Sequence, residues 1–400
     1  MKHLKLIGAF LALFLILFTG CKKDPGMISR DVPRESPDEV GGVKKSAQIS
    51  AAFKQKLLDL KNNLPAGSRE ILADKVRVLI KNHPEYRNMI NSALGVVATP
   101  CDPDTPLFLW LDGELADWDG LVIFYAIITG MLDFPTYDAY LFENSTAGQY
   151  FGTDGEYTQV LLKTFKDLKR FWNVQIDGIV MVAMHGSMLL DRDRVIRIDK
   201  ILYGDDQATA EFWADLILEL LDQVPQYRNG DHPIFTFNAF ASSSFNFPPY
   251  GVVPSKIVMG DGILDGFAAI GYDDVAPQAV LAHEYAHHLQ FELGVFDDVV
   301  SPENTRRGEL MADALSAYYL SHARGATMQW KRVKQFLQVF FNIGDCAFNN
   351  DGHHGTPTQR MAAAEWAYKL ANNAQKQGHI LTAQQFVALF DAALPYIVTQ

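Results

Sequence analysis

Leu281-Ala282-His283-Glu284-Tyr285-Ala286-His287-His288-Leu289-Gln290 carries the pattern H-E-x-x-H. Residues four apart on a helix lie on one face, about one turn from each other. His283 and His287 are therefore expected to present two imidazole nitrogens to one divalent cation, with zinc the expected ion. Glu284, next in sequence, is the expected base that takes a proton from a water at that ion. The flanking Val280, Leu281, Tyr285, Ala286 and Leu289 keep the period of a buried helix, and Pro277 stands where a proline opens one. Histidines that merely cap or fill a helix face would satisfy the same pattern, so a third ligand decides between the two readings.

A catalytic zinc commonly keeps three protein ligands and one open position. The metzincin arrangement needs a glycine and a further histidine where this chain has Gln290 and Leu293, and that subclass is excluded. The other common source is a carboxylate on a following helix, and Arg306-Arg307-Gly308-Glu309-Leu310-Met311-Ala312-Asp313-Ala314 offers one. Leu310, Ala314, Ala317, Tyr318 and Leu320 mark a helix that faces the core. Glu309 is the expected third ligand, and Asp313, one turn on, the expected acceptor for the second N–H of a ligating histidine. Charge on a mostly apolar helix face is costly unless paired, so solvated surface acids fit poorly with the Ala and Leu neighbours. Glu292, a rival ligand, points well round the helix from His287, and His288 is one residue off the ligand face.

Three blocks, Leu281 to Gln290, Glu309 to Asp313, and His354-Gly355-Thr356 with Gln359-Arg360, resemble the bacterial neutral zinc metallopeptidases of the gluzincin type. The likeness lies in their order, spacing and flanking residues, from about Ala276 to Leu370. It implies a zincin fold in which His283, His287 and Glu309 hold one catalytic zinc and Glu284 is the base, acting on a peptide or protein substrate. Substrate specificity is not carried over, because the residues before these blocks agree only in the order of strands and helices. A hydrogen-bond donor should face the oxyanion. His354, Tyr318 and Tyr319 are the candidates, with His354, inside the resembling block, taken as the second catalytic residue. Two other classes remain open at this level. One is a non-catalytic envelope lipoprotein binding a partner or glycan on the same fold, which the presence of Glu284 disfavours. The other is a zinc hydrolase of non-peptide amides, which differs only in its pocket.

Working upstream, Tyr157 to Trp172 and Ala208 to Val224 read as helices, and Ile176 to Met184, Val195 to Ile198, Ile234 to Phe240 and Ser255 to Met259 as strands. A sheet with helices stacked on it, followed by helices only, is an α+β arrangement. The segment Lys256 to Met259 is expected to be an edge strand that takes an extended substrate by strand addition, with the loop Phe245 to Pro254 as its rim. Leu121 to Leu132 is apolar enough for a buried helix or strand pair. The acids ahead of it, Asp112, Glu114, Asp117 and Asp119, lack the spacing and glycine of an EF-hand and read as a solvated loop. Ala47 to Leu94 has a helical pattern. The expected divisions are a signal peptide over 1–20, a flexible tether over 21–46, a helical N-terminal region over 47–155 and a metallopeptidase domain over 156–400.

The 400-residue chain is 48% hydrophobic and 20% charged, which supports a large core and excludes disorder. Its net charge of −12, with no basic face, excludes nucleic acid as the main partner. Three cysteines form no C-x-x-C motif; Cys101 and Cys346 are either a disulfide or two packed thiols, and sequence does not choose between them. Lys2 and Lys5, the apolar run Leu6 to Phe18, and the small residues before Cys21 form a signal peptide whose end resembles a bacterial lipobox, with Phe18 in place of the usual Leu. That resemblance implies cleavage before Cys21, lipid on Cys21 and anchorage to a membrane. With Lys22 next, it also implies delivery to the outer membrane of a bacterial cell envelope.

Overall fold

The computed structural model describes residues 48–63, 105–296, 301–328, 330–342, 354–375 and 378–400. The expectations for the signal peptide, Cys21, the tether, most of 64–104, Cys101 and Cys346 fall outside these residues. In chain order the helices are α1 (Ala51–Asn62), α2 (Pro106–Glu114), α3 (Gly120–Ile128), α4 (Phe134–Leu141) and α5 (Thr158–Phe171). Strand β1 (Val180–Met184) follows, then α6 (Arg192–Leu202) and α7 (Gln207–Gln223), then β2 (Ala239–Ser242), β3 (Phe245–Phe247), β4 (Gly251–Val253) and β5 (Lys256–Gly260). The rest is helical: α8 (Asp261–Ala269), α9 (Ala276–Leu293), α10 (Pro302–Ser321), α11 (Trp330–Asn342), α12 (Pro357–Gln375) and α13 (Ala383–Ile397). The class is α+β, mostly helical with a small mixed sheet. Among the described residues no helix is long and apolar enough to cross a membrane.

The sheet runs β1-β5-β2, with β1 parallel and β2 antiparallel to β5. Every residue of β5 is buried, as expected of a central strand covered on both faces. Alternate side chains divide between two layers. Val182, Met184 and Val258 meet Ala139 of α4 on one face, while Met181, Ala183, Ile257 and Met259 join the main core with α9 on the other. Lys256 is therefore in the middle of the sheet and not on an edge, which corrects the expectation for Lys256 to Met259. Its ammonium is fully buried and donates to the Ala139 and Glu143 carbonyls at 3.2 and 2.7 Å and to Asn144 Oδ1 at 2.9 Å, at the carbonyl end of α4.

The two edges differ. On the outer side of β1, the Met181 and Ala183 N–H groups donate to Thr146 Oγ1 (2.8 Å) and Gln149 Oε1 (3.0 Å), so side chains of a loop cover that edge. Strand β2, which packs on α9, pairs with β5 alone among the described strands.

Four local assignments depart from the sequence pattern. Val195 to Ile198, read as a strand, lies inside α6. Asp191 caps that helix by accepting from the Asp193 and Arg194 N–H groups, and Val195, Ile198 and Asp199 are its buried face. The strand expected from Ile176 begins only at Val180, after Gly178 at φ 78°. Ile234 starts a 3₁₀ turn over Pro233–Thr236, and pairing begins at Ala239. Phe245 to Pro254, read as a rim loop, contains the hairpin β3–β4, whose aromatic side chains sit on Tyr140 and Phe142 at the end of α4. Since α4 covers the sheet face opposite α9, the hairpin does not line the side of the sheet that carries the H-E-x-x-H helix. Helices α2 to α4, grouped by sequence with the N-terminal region, contribute to the same core as the rest, and the described residues form one compact unit.

One buried histidine makes the fold acid-sensitive. His232, 1% exposed, contacts the Glu114 carbonyl through Nε2 (3.1 Å) and accepts the Ile234 N–H at Nδ1 (3.2 Å). Burial pushes its pKa from 6.5 down to about 3, against the Glu114 hydrogen bond, which raises it. The unfolded chain takes a proton where the folded chain does not. The stabilising contribution is therefore whole above about pH 6.5 and falls as the pH drops towards 3, amounting to about 2 kcal/mol by pH 5. Urea unfolding at pH 7 and pH 5 checks this: wild type should lose about 2 kcal/mol more than His232→Gln, and equal losses would contradict it.

Candidate metal centre

Helix α9 is buried nearly all round, opens with Pro277 in its first turn and stops at Gly294, a left-handed cap at φ 61°. Its regular period places the His283 and His287 rings 4.7 Å apart, with their Nε2 atoms at 3.1 Å. Helix α10, capped by Ser301, runs beside α9 and delivers Glu309 to the same point. Glu309 Oε2 is 3.2 Å from His283 Nε2, and Oε1 is 3.5 Å from His287 Nε2. Among the described residues, His283, His287 and Glu309 are the group of His, Cys, Asp and Glu that could hold a metal ion, with ligand atoms all within 4.8 Å of one another.

Each imidazole is also held from behind. His283 Nδ1 lies 2.9 Å from Asp313 Oδ1, the residue expected to accept its N–H, in a bent contact. Asp313 is completely buried and is clamped by Arg360 of α12, whose Nε and Nη2 reach its two oxygens at 2.7 Å each. The same guanidinium stands 3.7 Å from Glu309 Oε2. His287 Nδ1 lies 2.8 Å from Gln290 Oε1. Arg360 and Gln290 had no assigned role in the sequence pattern. The available signal for Gln290 was its place one turn after His287 on a buried face.

The charges are strongly coupled. Burial opposes a charge on His283, but the Asp313 and Glu309 carboxylates overcome it and raise its pKa to about 10. Burial likewise opposes the Glu309 carboxylate, yet His287, His354 and His283 hold it well below the usual carboxylate range. Burial pushes Glu284 up, against the pull of His283 and His287. A site that raises the proton affinity of an imidazole in this way has a negative potential, which attracts any small cation.

The remaining candidates fall into place around this centre. Glu284 is buried and within electrostatic reach of both histidines and Glu309. His354, just ahead of α12, is close enough to Glu309 to stabilise its charge. Tyr318 and Tyr319 are instead core residues. The Tyr318 hydroxyl accepts the Leu381 N–H at 3.0 Å, and both rings stand against Phe171 of α5. Of the oxyanion candidates, His354 is the one placed beside the centre. His288 is buried, with Nε2 3.0 Å from the Lys256 carbonyl, and joins α9 to the central strand. Glu292 is exposed. The acids before Leu121, read as a loop, are divided between elements: Asp112 and Glu114 lie in α2, where Glu114 pairs with Arg228 at 2.6 Å, and Asp119 caps α3.

No family model, no curated protein and no solved structure matches this chain.

Proposed function

We propose that the chain is a zinc-dependent peptidase of the zincin type, related in its site to the gluzincins, which uses His283, His287 and Glu309 as ligands. The observation that carries this reading is the meeting of three acceptors. His287 Nδ1 is engaged by Gln290 Oε1 and His283 Nδ1 lies 2.9 Å from Asp313 Oδ1 in a bent contact, while two Nε2 atoms and a carboxylate converge within 4.8 Å. Facing lone pairs repel unless something electropositive lies among them. One proton on His283 relieves part of this, whereas a divalent cation satisfies all three ligands. Two imidazoles and a carboxylate, backed by hydrogen-bonding side chains, suit zinc.

His283, His287 and Glu309 would hold the zinc ion, which would supply Lewis acidity at this point. Glu284 takes the proton of the attacking water and passes it to the amine nitrogen as the peptide C–N bond breaks. Its upward-shifted pKa brings a carboxyl group closer to the range in which it can both accept and return that proton. His354 donates a hydrogen bond to the substrate oxygen as negative charge grows there. The substrate backbone lies in extended form along β2, the strand that pairs with β5 alone among the described strands and packs on α9. Lipid on Cys21 would hold the enzyme at the bacterial envelope.

Metal content tests the reading most directly. Wild type should hold about one zinc per chain and cleave casein or a peptide library, and Glu309→Ala should lose most of the metal. A wild-type chain that takes up no zinc from buffered solution would refute the assignment.

A further inference from the structure

We infer that Gln290 is a positioning residue for the proposed metal centre: it fixes the tautomer of His287 and ties that ligand to the backbone next to Glu309. The inference rests on the zinc reading above. Gln290 is completely buried, and both ends of its amide are engaged. Nε2 donates to the Gly308 carbonyl at 2.7 Å, and Oε1 lies 2.8 Å from His287 Nδ1. A carbonyl oxygen only accepts, so the end of the amide at Gly308 must be the NH₂ group, and the end at His287 must be the oxygen. His287 Nδ1 must then carry the proton, and its Nε2 is left with a lone pair directed at His283 Nε2 and Glu309.

Gly308 directly precedes Glu309, so one side chain spans from a ligand on α9 to the peptide unit that carries the ligand on α10. Asp313 performs the comparable task for His283 from within α10, with Arg360 behind it. Both imidazoles are thereby set to ligate through Nε2, but by different chemistry: an anion clamped by a cation for one, and a neutral amide for the other. The neutral partner adds no charge to a centre that already gathers Glu284, Glu309, Asp313, Arg360 and His354 around the rings.

Removing the amide leaves His287 free to adopt the other tautomer, whose Nε2–H cannot ligate. Gln290→Met keeps the volume and removes both hydrogen bonds; Gln290→Glu keeps an acceptor for Nδ1–H. Zinc affinity, measured by chelator competition on the whole chain, should fall about 10- to 100-fold in Gln290→Met and stay closer to wild type in Gln290→Glu. The cobalt-loaded wild type and Gln290→Glu should share a visible spectrum that Gln290→Met does not reproduce. In the zinc-loaded wild type, ¹⁵N shifts of the His287 ring should show a protonated Nδ1, a readout that needs no variant to fold. Wild-type affinity and spectrum in Gln290→Met, or a His287 protonated at Nε2, would overturn the inference while leaving the zinc reading intact. Failure of the wild type itself to bind zinc would overturn both.

Discussion

Glu284→Gln should lower peptide cleavage by about 10²- to 10⁴-fold while the chain keeps its zinc, because the variant loses proton transfer and nothing else. Glu284 follows His283, a proposed ligand, directly, so its side chain leaves α9 about a quarter-turn from that of His283 and is outside the proposed ligand set. It is 6% exposed, and burial raises its pKa. Glutamine has the same shape and cannot accept the proton of a water. The same environment favours a neutral side chain at this position, so the variant should fold at least as well as wild type. Matched measurements of zinc per chain and of kcat/KM decide the matter. Undiminished cleavage would remove Glu284 from its assigned role, and zinc lost along with activity would show that it supports the ligands instead.

Arg360→Met should destabilise the metal-free chain by about 3–5 kcal/mol, the cost of breaking a buried ion pair by removing one partner. Arg360 and Asp313 are 2% and 0% exposed, so Asp313 has no access to water when the guanidinium is gone. Two 2.7 Å hydrogen bonds disappear together, and Glu309 loses a cation 3.7 Å away. The exposed pair Lys54–Asp119, at 2.9 Å with both side chains 47% exposed, is the natural control: water replaces its partner, and breaking it should cost less than about 1 kcal/mol. Urea unfolding in excess chelator separates the two cases. Adding Asp313→Asn to Arg360→Met should recover part of the loss, since the stranded charge is then removed. A loss below about 1 kcal/mol for Arg360→Met would mean that the clamp is not what holds α12 to α10.

The departures from the sequence pattern have identifiable causes. Val195 to Ile198 is short and β-branched, and its apolar spacing is compatible with either period; the Asp191 cap and the contact face of α6 decided for helix. Two expected strands start late because Gly178 takes a positive φ that a strand does not use, and because Pro233 opens a 3₁₀ turn. Strand Lys256–Gly260 gave no sign of being central, since a buried lysine at its start reads as a surface residue until one acceptor in the last turn of α4 and two just beyond it surround its ammonium. The tyrosines of α10 could face a cleft or a core. Aromatic neighbours from α5 and α13 place them in the core.

Spacing alone determined that His283 and His287 share a helix face, that Glu284 adjoins them, and that Glu309 and Asp313 share another face. These are consequences of 3.6 residues per turn, a purely local geometry. Tertiary structure decided that the two faces meet, that the carboxylate reaches both rings, and that Gln290 and Arg360 stand behind the ligands. It also decided that Lys256–Gly260 is the central strand of the sheet. Those facts depend on how α9, α10 and α12 pack against the sheet and one another. The contacting groups are as far apart in the chain as Asp313 and Arg360, and no local period constrains the distance between them.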